Sequence, residues 1–289
     1  MSSTNLDPLP EVRQSNHELG LFSLQDYERG ATIINCNPPS WFMALNHSNS
    51  LSTTCYSCLQ RTGSEQSVQC RGCRFVRFCS EQCAATDKMR HAAECSSFAG
   101  LNLTMSPNLR QSGVTEILAV LRMICLKDAG LIDTFWNGVT ALHANYASNY
   151  GANKRLKYEL AAHAIRSVSQ TVIDLAVIRR LFYVINTNAF PLWANDNTII
   201  GFQIFPLLSR ANHSCIPNLA YTAQMQRIVA TKSIKSGDEL TTSYVNLSSG
   251  VLERRQKLKD EYFFDCECER CRSELQTIAA QEAQSGEVD

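Results

Sequence analysis

Several features that assign a protein quickly are missing from this 289-residue sequence. Charge of one sign is not in excess, since Lys plus Arg and Asp plus Glu both number 27, so bulk charge predicts no nucleic-acid, membrane or acidic partner. The first twenty residues lack the apolar core of a secretory signal, and no later apolar run approaches the roughly 20 residues that span a bilayer. No internal repeat supports a solenoid. We therefore expect an intracellular protein, nuclear or cytoplasmic, and a monomer.

Cysteine, in contrast, is abundant, with 13 residues in the chain. Thiols stay reduced in the cytosol and nucleus, which favours bound metal over disulfides. A C-x2-C pair lets two thiolates reach one zinc ion at about 2.3 Å, and x3 spacing places two ligands one helical turn apart. Four pairs of these kinds predict two tetrahedral zinc sites. The pairs are Cys55–Cys58, Cys70–Cys73, Cys79–Cys83 and His91–Cys95.

The four pairs could combine sequentially or in an interleaved way, and the short link from Cys73 to Cys79 tolerates interleaving. Each site would be closed by four protein ligands, which leaves no position for a catalytic water. A segment this small has little apolar core, so we expect the metal to supply much of its folding energy. The interleaved sets are Cys55, Cys58, Cys79 and Cys83 for one ion, and Cys70, Cys73, His91 and Cys95 for the other.

A nucleic-acid-binding finger is the alternative interpretation of this block. Its basic side chains outnumber its acidic ones by only two. Zinc held by four thiolates is formally minus two, and zinc held by three thiolates and an imidazole is minus one. The loaded block would therefore carry a charge near minus one, which does not predict binding to phosphate groups.

Three short motifs indicate the type of finger. They are Cys-Arg-Gly-Cys at 70–73, Phe-Cys-Ser at 78–80, and Cys95 after a predicted helix that bears His91. Together they resemble the MYND zinc finger. That resemblance implies binding to proteins, often to proline-rich peptides, which the spacing alone would not predict.

Outside this block the apolar pattern predicts a mixed α and β chain. Residues 19–24 and 31–34 are expected to pair as a β-hairpin around a turn at 28–30. The predicted helices cover residues 114–125, 155–185 and 252–261. Four further β-branched segments predict one small antiparallel sheet, and they cover residues 198–204, 219–222, 228–231 and 240–244.

Three motifs downstream of the finger point to a second site. They read RANHSCIPN at 210–218, GDELTTSY at 237–244 and YFFDCECERC at 262–271. In this order they resemble the SET domain of lysine methyltransferases, and with the finger the chain resembles the SET-and-MYND-domain family over roughly residues 17–275. The resemblance implies an α+β fold: a SET-domain β-fold with a helical insertion, an inserted MYND-type zinc finger and a Cys-rich post-SET segment.

The last motif also predicts a third zinc site. Cys266, Cys268 and Cys271 supply three thiolates, and a closed site needs a fourth ligand, for which Cys215 is the best candidate. Such a site would tie the segment after the sheet to the loop before Cys215. The alternative makes Cys215 a small buried apolar residue. The two remaining cysteines, Cys36 and Cys125, are predicted to be core residues.

The family resemblance implies S-adenosylmethionine as the methyl donor. Asn212 and His213 match the family's Asn-His pair, and Asn188 lies in a segment that resembles its Asn-x-Phe motif. Phe264 is expected against the adenine. Where the family usually has a Gly-rich turn, this chain reads NHELGL at 16–21, so contacts there would come from the backbone. The expected cofactor contacts are His17, Glu18, Leu19, Asn188, Asn212, His213, Tyr244 and Phe264.

The expected catalytic residues are Tyr244 and Tyr262, which match the tyrosines that line the family's methyl-transfer channel. Their hydroxyls and ring faces would hold the lysine amine in line with the methyl group. Lysine has a reference pKa of about 10.4, so the site must favour the neutral amine. Taken without their neighbours, the two tyrosines would be ordinary sheet and helix-end aromatics.

Two functions follow from this organisation. The first is a methyltransferase acting on histone or non-histone protein lysines, with the finger binding protein partners. The alternative is an inactive adaptor that recruits partners, for example in transcriptional repression, and the altered segment at 16–21 favours it. The predicted segments are a disordered leader (1–16), the N-terminal part of the SET domain (17–54), the MYND finger (55–95), a helical insertion (96–185), the SET core (186–247), the post-SET zinc segment (248–275) and a flexible tail (276–289).

Overall fold

The computed structural model describes residues 9–15, 19–35, 42–45, 53–62, 67–104, 114–145, 147–193, 198–222 and 227–285. The strands in these ranges are β1 (Glu11–Gln14), β2 (Leu19–Phe22), β3 (Thr32–Asn35), β4 (Phe42–Leu45), β5 (Val68–Gln69), β6 (Arg77–Phe78), β7 (Phe190–Trp193), β8 (Ile199–Ile204), β9 (Asn212–His213), β10 (Leu219–Thr222), β11 (Arg227–Ala230) and β12 (Glu239–Thr242). The helices are α1 (Glu81–Thr86), α2 (Lys88–Thr104), α3 (Val114–Asp128), α4 (Asp133–Thr140), α5 (Ala152–Ser169), α6 (Leu175–Asn188), α7 (Val251–Tyr262) and α8 (Glu269–Ser285). None of these described helices is long and apolar enough to cross a bilayer.

The chain forms two compact units. The first unit combines both ends of the chain, residues 1–37 and 207–289, and the second unit is residues 38–206. The finger and helices α3 to α6 therefore belong to the second unit, while β9, β12, α7 and α8 belong to the first. The domain boundaries given above from the sequence stay predictions.

The described strands of the first unit form two sheets. One has the order β1-β2-β12-β9, and the other has the order β10-β11-β3. Strand β12 is antiparallel to β2 but parallel to β9, with Thr241 opposite Asn212 and Thr242 opposite His213. This pairing brings the Asn-His motif alongside the chain segment that leads to Tyr244.

The predicted strand partners differ from the observed ones. The prediction that residues 19–24 and 31–34 pair as a hairpin is wrong. Strand β2 pairs with β1 and β12, and β3 pairs with β11. The single antiparallel sheet is also wrong, since its four segments lie in three sheets. Strand β2 instead brings the fully buried Leu21 opposite the fully buried Leu240. Apolar periodicity identifies a strand's buried face but not its partner.

The second unit is built on helices. Helix α2 packs against α3 and α5, and β4, β8 and β7 form a separate three-stranded sheet. The helical predictions at 114–125 and 155–185 are confirmed, although the second is divided into α5 and α6. Gln170 ends α5 in the left-handed conformation, and the Asp174 side chain caps α6 by accepting from the Ala176 N–H at 2.6 Å.

The two segments predicted to be disordered contain regular structure where they are described. Residues 11–14 of the leader form β1, whose side chains are exposed and whose backbone pairs with β2. Residues 276–285 of the tail belong to α8. That helix is anchored at its start by the buried Cys271, and Leu275 and Ile278 pack on the same apolar cluster. Polar composition indicated solvation here, but backbone pairing orders residues 11–14, and packing on this cluster orders the helix to residue 285.

Candidate functional site

The predicted metal ligands lie in three clusters of four. Within each cluster the ligand atoms all lie within 4.8 Å of one another. The grouping in the finger is interleaved, so the sequential pairing is wrong. The first cluster is Cys55, Cys58, Cys79 and Cys83; the second is Cys70, Cys73, His91 and Cys95; the third is Cys215, Cys266, Cys268 and Cys271.

The sulfur separations in these clusters fit shared zinc ions. The eleven cysteines are free thiols, and a disulfide would need its sulfur atoms about 2.05 Å apart. Thiolates on one tetrahedral zinc at about 2.3 Å lie about 3.8 Å from each other. The observed Sγ to Sγ distances are 3.6 Å for Cys58 and Cys79, 3.6 Å for Cys70 and Cys95, and 3.5 Å for Cys215 and Cys271.

The two C-x2-C turns of the finger have the same backbone geometry. In each, the residue after the second cysteine donates its N–H to the carbonyl of the first, from Leu59 to Cys55 and from Arg74 to Cys70, both at 3.0 Å. Leu59 and Arg74 have φ of 64° and 57°, in the left-handed region that residues other than glycine rarely adopt. Metal binding to the cysteines would offset this backbone strain.

Helices α1 and α2 present the remaining finger ligands. Ser80 caps α1 by accepting from the Cys83 N–H at 3.2 Å, and the Cys79 and Cys83 sulfur atoms on either side of the cap lie 3.4 Å apart. On α2, His91 and Cys95 lie one turn apart and face the second cluster. The Nε2 atom of His91 lies 3.8 Å from the Cys73 sulfur.

The electrostatics of the second cluster favour a bound cation. Burial alone would lower the pKa of His91, but contacts with Cys73 and Glu94 raise it to about 11. Burial likewise opposes the thiolate of Cys70, yet hydrogen bonds, first among them one with His91, lower its pKa to about 6. The negative groups that raise the pKa of His91 would equally stabilise a bound zinc ion, which takes the place of the imidazole proton when His91 ligates.

A buried carboxylate and guanidinium lie behind this cluster. Glu94 is fully buried, with one oxygen 3.7 Å from His91 Nδ1 and the other 3.3 Å from Arg122 Nε on α3. The Arg122 guanidinium lies over the Tyr56 ring, 4.6 Å from its centroid. A carboxylate on the outer nitrogen of a ligating histidine fixes the ring and its tautomer. Glu94 and Arg122 thus join the finger to the core of the second unit.

The third cluster lies in the first unit and includes Cys215, as predicted from its sequence. Cys215, Cys266 and Cys271 are buried, in an apolar core with Val251 and Leu258. The reading of Cys215 as an isolated apolar residue is wrong. Burial raises the pKa of Cys268, but hydrogen bonds from the backbone outweigh it and lower that pKa to about 7.

His213 connects the third cluster to Tyr244. Its Nδ1 accepts from the Tyr244 backbone N–H at 3.1 Å, and its Nε2 lies 3.3 Å from the Cys215 sulfur. Burial, with the Arg254 charge nearby, lowers the pKa of His213 to about 4, so the ring is neutral. Because Nδ1 accepts, the single proton is on Nε2 and points to the thiol.

Four rings from three motifs form what we call the aromatic cluster: His213, Tyr244, Tyr262 and Phe264. The ring centroids of Tyr244 and Tyr262 lie 4.8 Å apart, and those of His213 lie 5.3 Å from Tyr244 and 6.0 Å from Phe264. The Tyr244 hydroxyl donates to the Ala211 carbonyl at 2.9 Å. Phe264 is 36% exposed, which leaves part of its surface open to solvent.

Glu239, to which the sequence motifs gave no role, holds Asn212. Its Oε1 accepts from Asn212 Nδ2 at 2.8 Å and from the Ser15 hydroxyl at 2.9 Å. A Cβ built on Gly20 would lie 2.6 Å from the same oxygen, so a larger residue here would displace the Glu239 carboxylate. Glu239 belongs to the motif at 237–244, but only the observed pairing of β12 with β9 places it beside Asn212.

The other predicted cofactor contacts are placed less directly. His17 and Glu18 lie outside the described residues, and Leu19 is in β2 opposite Gln14. Asn188, in the second unit, donates from Nδ2 to the carbonyls of His143 at 2.8 Å and Val184 at 2.9 Å. Their cofactor roles stay predictions. Of the two predicted core cysteines, Cys125 is buried in α3 and Cys36 lies outside the described residues.

Known proteins similar to this chain match most of its length. The histone-lysine N-methyltransferase ASHR1 of Arabidopsis thaliana is 25% identical over 261 residues, which cover 87% of this chain and 52% of that protein. The N-lysine methyltransferase SMYD2 of Homo sapiens is 25% identical over 273 residues, covering 87% of this chain and 57% of that protein. The chain thus spans about half the length of these relatives.

A solved structure of Rubisco LSMT bound to AdoMet aligns with 91% of this chain and 53% of its own, at 12% identity and a TM-score of 0.46. The family model for the SET domain matches residues 18–245, well over half of the chain, and that range encloses the eight finger ligands. The third cluster uses one cysteine inside the matched range and three beyond it. The chain belongs to the SET domain family, with the SET-and-MYND arrangement that its sequence predicts.

Proposed function

We propose that this protein transfers a methyl group from S-adenosylmethionine to the side-chain amine of a lysine in a protein. One observation carries the proposal: three separate motifs between residues 210 and 271 supply the aromatic cluster and the adjoining Asn212. The similar proteins named above are a histone-lysine and an N-lysine methyltransferase, which agrees with this chemistry. A shared fold alone would not establish activity, so the proposal rests on the site.

The residues of the first unit fit the methyl donor. Asn212 and His213 would hold it through side-chain and backbone groups, and the partly exposed Phe264 offers a ring face on which a purine can stack. Gly20 lets Glu239 and Asn212 pack closely against the β2 backbone, which helps to place Asn212. When bound, S-adenosylmethionine supplies an electrophilic methyl group on a positively charged sulfonium.

Tyr244 and Tyr262 would orient the lysine amine. Burial raises the pKa of Tyr262, so its hydroxyl keeps its proton at neutral pH and does not serve as a base. The bond from the Tyr244 hydroxyl to Ala211 and the His213 contact to its backbone fix that ring from two sides. Catalysis would therefore come mainly from holding the amine in line, with its neutral form favoured by the site.

We assign one structural zinc ion to each of the three clusters. Each offers four protein ligands, so none keeps an open position for chemistry. The finger would bind protein partners, including proline-rich segments, and the substrate lysine would belong to a histone or another nuclear or cytoplasmic protein. A monomeric chain is part of the same proposal.

A labelled-methyl assay on zinc-loaded protein tests this function. Wild type should transfer label from S-adenosylmethionine to lysines of lysate proteins. Tyr244→Phe should lower the rate by about 100-fold. Loss of this positioning group would displace the reacting atoms by up to about 1 Å, and a displacement of that size is enough for such a loss. Tyr221→Phe, on β10 of the same unit and outside the aromatic cluster, is the matched control and should stay within about threefold of wild type. Equal transfer by wild type and Tyr244→Phe, or none by folded, zinc-loaded wild type, would refute the proposal.

A further inference from the structure

Arg254 on α7 is the largest fully buried side chain among the described residues, with 1% of its surface exposed. Arginine is almost never fully buried without a partner, because removing its charge from water is unfavourable by several kcal/mol. In the sequence, Arg254 looks like part of a solvated basic helix, RRQK at 254–257. Its burial therefore needs a compensating negative charge nearby.

The neighbouring carboxylate does not supply enough negative charge. One terminal nitrogen of Arg254 donates to the Ser249 carbonyl at 2.6 Å, and the other donates to Glu274 at 2.7 Å. Glu274 is also bonded by Arg270 Nε at 2.6 Å. The Glu274 carboxylate is thus shared by two guanidinium groups, so these three side chains together carry one excess positive charge. Arg254 is the buried member of the three, and the excess charge therefore lies next to it.

The third cluster lies next to the buried Arg254 guanidinium. The nitrogen that bonds Glu274 also lies 3.9 Å from the Cys271 sulfur. Four thiolates around one divalent zinc leave a formal charge of minus two, here in a site where Cys215, Cys266 and Cys271 are almost completely buried.

We propose that Arg254 is a positioning residue of the third cluster, whose buried guanidinium compensates the charge of the four thiolates and holds Cys271 for one zinc ion. The inference concerns metal affinity and does not depend on methyl transfer. Its failure and the failure of the proposed function are therefore separate outcomes.

Competition with a chromophoric zinc chelator tests the proposal on the full chain loaded with three zinc ions. In Arg254→Met, one ion of the three should be released about 10- to 100-fold more readily, the usual effect of losing a group that supports a metal ligand. The two finger ions should be released as in wild type and so act as an internal reference. Arg270→Met, which loses the bond from Arg270 to the other oxygen of Glu274, is the matched control and should change release by less than about threefold.

Two comparisons separate charge compensation from packing. Arg254→Lys keeps the charge and should retain more affinity for the third ion than Arg254→Gln. This comparison tests the same point if Arg254→Met folds poorly. In a Cys268→His background the site has four ligands but a formal charge of only minus one, so Arg254→Met should weaken binding less there than in wild type. Equal losses in both backgrounds, or in the Lys and Gln variants, would overturn the proposal, as would three ions bound with wild-type affinity in Arg254→Met.

Discussion

Removing zinc should unfold the finger and leave helices α3 to α6 folded. Structural zinc sites contribute about 10–16 kcal/mol of apparent binding free energy, which in a small finger supplies much of the folding free energy. The finger also contains two residues in left-handed conformations, Leu59 and Arg74, which its own small core does not compensate. The helices, by contrast, share a core that includes the fully buried Leu121, Tyr158 and Phe182.

Hydrogen exchange before and after chelation measures this difference. Amides of α1 and of the β5–β6 hairpin should lose their protection and exchange as in an unfolded chain. Amides of α3 around Leu121 should change by less than about tenfold, since their stability comes from packing. Zinc should restore the original pattern and magnesium should not, because magnesium prefers oxygen ligands. Full protection in α1 after complete metal removal would contradict the assignment.

Glu94→Ala should destabilise the second unit by about 3–5 kcal/mol, because it leaves the Arg122 charge buried without its carboxylate. Both side chains are almost completely buried, with 0% of Glu94 and 4% of Arg122 exposed. The same change frees Nδ1 of His91 and should lower zinc affinity at the second cluster about 10- to 100-fold. Urea unfolding followed by circular dichroism measures the stability, and chelator competition measures the affinity.

An exposed pair in the same unit gives the control. Glu159 bonds Arg179 at 2.7 Å with 37% and 41% of the two side chains exposed, so Glu159→Ala should lower stability by less than about 1 kcal/mol. Replacing the buried pair together, as Glu94→Leu with Arg122→Met, should recover most of the loss in stability but not the loss in zinc affinity. A Glu94→Ala variant as stable as Glu159→Ala would show that Arg122 does not depend on this carboxylate.

The sequence predicted the metal clusters well because ligand spacing is local chemistry. Two cysteines separated by two residues can share an ion in only a few backbone conformations, and the Cys73 to Cys79 link is short enough for the interleaved grouping that the structure shows. The fourth ligand of the third cluster could be predicted because three thiolates require one more. Cys215 was the best candidate because it lies in the motif at 210–218, which resembles a SET-domain motif.

Strand partners and buried charges could not be predicted in this way. The segments at 19–24 and 31–34 had strand character, but β2 and β3 pair with distant strands, and no local rule selects among those partners. Glu94, Arg122 and Arg254 look like ordinary helix-surface charges, because their significance depends on what packs over them. Tertiary packing alone makes them partners of the metal ligands.

For the aromatic cluster, the motifs predicted which residues belong to the site but not how they are held. Its four members were selected by resemblance, and the structure brings these residues together in the first unit. The resemblance did not indicate that His213 links Cys215 to the Tyr244 backbone, nor that Glu239 holds Asn212. From those contacts we propose that a metal ion in the third cluster orders, through the His213 imidazole, the side chains assigned above to the cofactor site.

Calorimetric titration with S-adenosylmethionine tests that dependence most directly. Wild-type protein carrying three zinc ions should bind one equivalent saturably. Cys266→Ser, which is distant in sequence from Asn212 and His213 and should keep both finger ions, should show no measurable binding. Equal affinity in the two proteins, or no binding by folded wild type with all three ions, would contradict the account.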